Sequence, residues 1–465
     1  MKLKIIPLGG GPGMVTNNMY VYEWGNDQLI VDCGIGFPDD KVSNDILIPD
    51  INYLKQSAKN NQRFRTTQKV RNLNNIHGIL LTHGHDDHHA ALPHILPEIG
   101  YPPVYASRLT AGFCQDKLQE FNIKQKINIV KESDQLKIGP FTIDPIHVTH
   151  SVPDTFHYMI TTPVGAIYHG SDFKFDLTPL DNRTPNFSKI ISLSKKGVLC
   201  LLSDCLRSER SGFTPSESTV SKALHRELSH CPGRLIFTTM SSQIHRIQQA
   251  IDVAHKYGRK IAFIGRSMES NAQIASRLGF LHLPKKSLAT KQQIKKIPDH
   301  KLCLIVAGSQ GQESSSLTRY AAGSHRFLKL RPADKVIYSV DIIPGNEQAV
   351  YNVIDELNKK GLDVVYQETV DDLHVSGHAS AGELQLLMEM TNPHYLYPIG
   401  GSFRHMRQYQ RLAEQIGFRK DQTIFPQSAQ VVEFDQNGTY RLAETLKLNQ
   451  IRINQNELRP KQKSR

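Results

Sequence analysis

The stretch Leu80-Leu81-Thr82-His83-Gly84-His85-Asp86-Asp87-His88 carries an aliphatic strand straight into three histidines and the carboxylate of Asp87. Neutral imidazole and carboxylate are the ligands that a borderline cation such as zinc prefers. In an extended chain His83 and His85 share one side. Asp87 and His88 fall in the turn into the next helix and can face a second ion about 3.5 to 4 Å from the first. The spacing HxHxDH therefore suits two metals. His77, His89 and His94 lie outside that spacing and read as surface or supporting groups.

Working outward, three separated pieces can complete such a site: Asp32 after the strand LIV, His150 in VTHSVPD and Asp172 in YHGSDFKFD. Each follows an aliphatic strand, and the C-terminal ends of strands are where α/β sheets put ligands and catalysts. Taken singly, each is a turn residue or helix cap. Taken with HxHxDH, they add a third nitrogen ligand and a carboxylate able to bridge two ions.

The chain has 465 residues, room for roughly two or three folding units. With 39% hydrophobic and 22% charged residues it should bury a real core, which excludes disorder throughout. No apolar run approaches the roughly 20 residues of a membrane span, and MKLKIIPLGGG reaches glycine too soon for a signal peptide. A soluble cytoplasmic protein with no membrane partner is expected. Six cysteines without a CxxC pair fit reduced core thiols better than a disulfide frame. The net charge of +12 makes a polyanion, nucleic acid above all, the leading partner class.

Aliphatic runs at Gln28 to Val31, Gly78 to Thr82, Gly165 to Tyr168 and Gly197 to Ser203 alternate with helical patterns, which predicts a layered α/β protein. Lys55 to Asn75 reads as an exposed basic loop. A composition change after Ser203 marks a boundary. Beyond it, strand-then-helix pairs at Arg234 to Tyr257, Lys260 to Leu278 and Lys335 to Lys359 predict a doubly wound parallel unit. The division expected is 1–205, an insert at 206–360, a return at 361–445 and a frayed polar basic tail at 446–465.

Between Lys4 and Leu442 the motifs IPLGG, NNMYVYE, DCGIGFPDD, LTHGHDDH, THSVPD, SDFKFD, LLSD, FTPSE, IGRSM, GSQGQE, IPGNE and HVSGHAS occur in an order that closely resembles ribonuclease J of the metallo-β-lactamase β-CASP nucleases. HxHxDH alone marks the superfamily, and GSQG, IPGNE and HVSGHAS narrow it to the family. The resemblance implies a metallo-β-lactamase αββα sandwich interrupted by a doubly wound β-CASP domain, with single-stranded RNA threading between them. It implies that His83, His85 and His150 hold one zinc, that Asp87 and His88 hold another, and that Asp172 bridges them, with Asp32 in support. It further implies that Asp204 and His378 match the β-CASP catalytic motifs, His378 protonating the departing 3′ oxygen, with Asp87 also at the reaction centre. His374, Val375, Ser376, Gly377 and His378 resemble the phosphate-binding segment. Ser242, Gln243 and His245 stand where another phosphate of the strand would bind.

Two departures from the family stand out. Its members usually carry a metal-ligating histidine in a PVHGEYR-like segment, where this chain has Gly400 in Pro398-Ile399-Gly400-Gly401-Ser402-Phe403-Arg404. The second zinc then loses a protein ligand, which water or a nearby histidine such as His405 would have to replace. The chain is also expected to be a short form without the family's separate C-terminal domain, pairing as a dimer through its two remaining domains. The reading is thus a zinc-dependent ribonuclease acting on single-stranded RNA as a 5′ to 3′ exonuclease and endonuclease. The competing readings are an RNA-binding protein with a degenerate site and a small-molecule hydrolase such as a lactonase.

Overall fold

The computed structural model describes residues 1–38, 45–55, 75–343 and 345–454. The expected basic loop lies outside the described residues apart from its two ends, as do Pro344 of IPGNE and residues 455–465.

Two sheets face each other. The first has eight strands in the order 440–445, 430–434, 3–9, 19–24, 27–31, 76–80, 104–106 and 127–129. The second has six, ordered 395–399, 200–204, 166–169, 155–161, 141–148 and 136–138. Strand Ile76–Leu80 runs parallel to both its neighbours, Asp27–Val31 and Val104–Ala106, and its buried end Gly78-Ile79-Leu80, covered on both faces, runs on into Leu81 as an apolar stretch. Leu80 points into the core between the sheets with Tyr22, Leu29, Phe141, Tyr158 and Leu202. Ile79 and Leu81 pack outward with Leu92, Ile95, Ala111 and Leu118. The outer face of the second sheet is covered likewise, Met159 and Leu201 meeting Leu384, Leu387 and Leu412. Helix, sheet, sheet, helix is the resulting layering.

A third sheet stands apart, with five parallel strands in the order 260–264, 302–306, 235–238, 335–338 and 363–365. Its residues alternate between two cores, Leu235 and Phe237 on one face and Ile236 on the other, as helix-covered parallel strands require. Strand Asp363–Val365 still belongs to this sheet, so the insert runs past the boundary expected at 360. Strand Tyr395–Ile399 then returns to pair with Cys200–Asp204, and the insert is closed on both sides by the same sheet.

The expected frayed tail needs correction within 446–454. Ile451–Asn454 forms an antiparallel pair with Asp45–Ile48 because Ile451 and Ile453 alternate toward the core beneath the first sheet. All six cysteines are buried free thiols. Among the described residues no helix is long and apolar enough to cross a membrane.

Candidate metal centre and RNA cleft

The site gathers where strands of both sheets end. Asp32 follows Asp27–Val31 with φ +63°, Thr82 to His85 follow Ile76–Leu80, His150 follows Phe141–Val148, and Asp172 follows Ala166–His169. Ligand atoms of His83, His85, His150 and Asp172 lie within 4.8 Å of one another, and so do those of Asp87, His88 and Asp172. Asp172 Oδ2 stands 3.8 Å from His83 Nε2, 3.4 Å from His88 Nε2 and 3.9 Å from His150 Nε2. It therefore faces both groups at once.

The partners behind the rings fix which nitrogen faces inward. Thr82 Oγ1 donates to Asp32 Oδ2 at 2.9 Å, so it can only accept from His83 Nδ1, at 3.0 Å. His150 Nδ1 donates to the Gly377 carbonyl and His88 Nδ1 to Asp32 Oδ2, both at 2.7 Å. The Nε2 atoms of His83 and His150 are left with bare lone pairs aimed at Asp172, and that of His88 faces the same carboxylate. His85 Nδ1 joins them, 3.2 Å from His83 Nε2 and 3.1 Å from His150 Nε2. Burial pushes the imidazoles of His83 and His150 far down and that of His85 to about 4, so all three are neutral at physiological pH. Burial also lowers His88, but Asp87, Asp172 and Asp32 overcome it and raise that ring well above its usual value. Convergent bare nitrogens beside carboxylates repel one another unless a cation sits between them, so the donor set fits a divalent metal.

Beside this cluster His378 Nδ1 donates to Asp204 Oδ2 at 2.7 Å. Burial would lower the His378 imidazole, yet Asp204 and then Asp172 raise it to about 9. Its ring lies 5.3 Å from that of His150. Gly377 joins the two histidines. A side chain there would meet His150 Cε1 at 2.7 Å, so the glycine's close approach is to the ligand histidine rather than to an incoming phosphate.

The metal cluster opens on a cleft between the two-sheet unit and the insert. His374, Ser376, Gly377, His378, Ser242 and Gln243 line it, with Gly308 to Gln312 of GSQGQE along the far wall. Two expected members do not. Val375 packs into the core of the insert, and His245 turns to Asp181, Nε2 to Oδ2 3.5 Å, because the helix Ile244–Lys256 carries it away from the cleft. His405 is not a substitute for the missing ligand either. It is the third residue of the helix Phe403–Gln415, where its ring folds back onto Ser402 as a cap, and Nε2 lies 3.6 Å from Glu209. Gly400 has φ +68°, and a Cβ there would stand 3.6 Å from Asp204 Oδ1.

Two neighbours of the site were not singled out as site residues. Asn18 Nδ2 reaches Asp87 Oδ2 at 3.4 Å, and Arg246, one residue past His245, lies buried behind His374. Asn18 lies in the motif NNMYVYE, but nothing local to either residue points to its partner, which is distant along the chain.

Comparison with known proteins gives the same picture. Residues 28–188 match the beta-lactamase superfamily domain, 232–357 the ribonuclease J beta-CASP domain, and 362–423 the Zn-dependent metallo-hydrolase RNA specificity domain. Ribonuclease J of Thermus thermophilus is 37% identical over 95% of this chain and 76% of its own length. Ribonuclease J of Helicobacter pylori 26695 is 39% identical over 89% of the chain, which spans 58% of that relative. A crystal structure of a protein of unknown function from Enterococcus faecalis V583 overlays 93% of the chain at TM-score 0.61 and 14% identity, a likeness of fold alone. With the metallo-β-lactamase layers, the β-CASP insert and these relatives together, the chain belongs to the ribonuclease J family.

Proposed function

We propose that this chain is a zinc-dependent ribonuclease that hydrolyses phosphodiester bonds of single-stranded RNA, both from the 5′ end and internally. The convergence of His83, His85, His150 and Asp172 on one point, with Asp87 and His88 sharing Asp172, carries the reading. Three imidazoles and a carboxylate are a zinc-type donor set. Divalent ions held there would acidify water and offset charge on the phosphate oxygens. The chain's own groups do the rest. His374 and Ser376 offer hydrogen bonds to phosphate oxygens in the cleft. Asp204 accepts from His378 Nδ1 and so stabilises the imidazolium, whose Nε2 hydrogen can pass to the departing 3′ oxygen, and a group raised to about 9 keeps that proton at neutral pH. Asp87, His88 and the shared Asp172 supply only three donors to the second ion, and Gly400 adds none, so that ion is the weaker held.

An intact set of HxHxDH donors favours an enzyme over an RNA-binding protein with a lapsed site. A dimer working in the cytoplasm completes the reading. Metal analysis of the purified protein, run beside degradation of a 5′-monophosphorylated single-stranded RNA, tests it. Bound zinc with cleavage that is lost in both His83→Ala and Asp172→Asn is expected. Undiminished cleavage in either variant would overturn the metal assignment.

A further inference from the structure

His374 is clamped from behind. Its Nδ1 accepts from Arg246 Nη1 at 2.9 Å, and the same guanidinium donates through Nη2 to the Val375 carbonyl at 3.2 Å. The carbonyl on the other side, that of Leu373, accepts from Ser339 Oγ, and Ser339 Oγ in turn accepts from Arg246 Nη1 at 2.7 Å. Both carbonyls flanking His374 and the back of its ring are thus held by one arginine and its partner serine.

Arg246 is 1% exposed. A buried cation is costly unless it is paired, and Glu217 pairs it through two bonds, Nε to Oε1 at 2.5 Å and Nη2 to Oε2 at 2.9 Å. Gln249 also donates to Glu217 at 3.1 Å, and Lys174 lies 4.0 Å away. The arginine comes from the insert, Lys174 from the two-sheet unit, and His374 from the segment that leads back to that unit.

We infer that Arg246 is a positioning residue for RNA binding, holding the 374–378 turn and leaving His374 with its hydrogen on Nε2, toward the cleft. Arginine cannot accept a hydrogen bond, so the nitrogen it touches must be the acceptor. The opposite nitrogen then carries the hydrogen. It faces Asp341 Oδ2 at 3.1 Å and is otherwise covered, so a phosphate oxygen takes its donation by displacing that half-exposed carboxylate on the cleft wall. Burial and the adjacent guanidinium both lower the His374 imidazole, which keeps it neutral and the tautomer meaningful.

The inference rests on the nuclease reading for its consequence but not for its geometry, and two measurements separate them. Nitrogen-15 shifts of the His374 ring, assigned by their loss in His374→Gln, should report a bare Nδ1 in the parent protein and mixed tautomers in Arg246→Lys. A protonated Nδ1 in the parent overturns the clamp whether or not the protein cleaves RNA. In RNA cleavage, Arg246→Lys should raise KM about tenfold or more, the scale of a lost charged hydrogen bond, with a smaller change in kcat. Adding it to His374→Ala should raise KM little further, because the arginine acts through the histidine. Effects that multiply in full, or a parental KM in Arg246→Lys, overturn the inference. Lysine keeps the charge opposite Glu217, so the test does not depend on a variant that strands a buried carboxylate. Glu217→Gln supplies a second route to the same loss.

Discussion

At the residue scale the site turns on what one side chain forces on the next. Asp204 does not face the metal cluster through its own chemistry so much as through His378, whose proton it retains. His378→Ala should therefore lower kcat by roughly 10²- to 10⁴-fold while RNA affinity changes little, which single-turnover kinetics and a binding titration would separate. Asp204→Asn removes the main influence that raises the imidazole above its usual value. An acid must keep its proton to act, so activity is lost as pH rises through its pKa, and lowering that pKa moves the alkaline limb of the kcat profile to lower pH. An unmoved limb would mean that another group supplies the proton. Gly400 poses the opposite case, a missing side chain. Gly400→His should raise zinc retained after dialysis, since a Cβ there meets nothing nearer than Asp204 Oδ1 at 3.6 Å and leaves room for an imidazole. The same substitution should cost about 1 to 2 kcal/mol in a chelator-containing melt, because a left-handed φ of +68° suits glycine. Stability unchanged in chelator with no zinc gained would refute both halves.

At the scale of elements, legibility followed distance along the chain. HxHxDH could be read because four donors of the site lie within six residues, and the strand-end rule then found His150 and Asp172 without knowledge of their pairing. The insert was readable as alternating strands and helices, although its interior strand Leu302–Val306 went unsingled, since LCLIV has no periodicity to tell a buried strand from a buried helix. Ile451–Asn454 was missed for a related reason: two alternating isoleucines sit among polar residues, and their partner strand is some 400 positions earlier. Contacts between loops were invisible altogether. Nothing near Gly377 announces that its carbonyl holds His150, 227 residues away, or that a methyl group there would strike the ring. Gly377→Ala should accordingly displace His150 or its own loop, lowering zinc content and destabilising the fold by about 1 to 3 kcal/mol. Metal analysis with a thermal melt checks this, and full zinc occupancy in that variant would show that the loop yields freely.

At the scale of the whole molecule the question is whether the net charge of +12 acts as a diffuse field or through particular contacts. The cleft is not uniformly basic: Arg207, Arg210, Arg266 and Arg319 line it, but so do Asp341, Glu313 and Glu356. Carboxylates between the arginines would repel a phosphate chain unless it follows a path that meets the guanidinium groups, so RNA affinity should depend on those few cations. Each phosphate they neutralise releases condensed counterions, which gives log affinity against log salt a slope of about −0.7 per neutralised phosphate on a single strand. Arg210→Ala combined with Arg266→Ala should flatten that slope by about 0.7 for each phosphate left without its arginine and weaken binding to all RNA sequences alike. Lys195 and Lys196 provide the control, being exposed beside the helix Phe187–Ser194 and absent from the cleft lining. Replacing that pair with alanine removes the same charge from the molecule and should leave the slope unchanged. Equal flattening by the two pairs would mean that RNA responds to overall charge, and that the cleft between the insert and the two-sheet unit is not the path it takes.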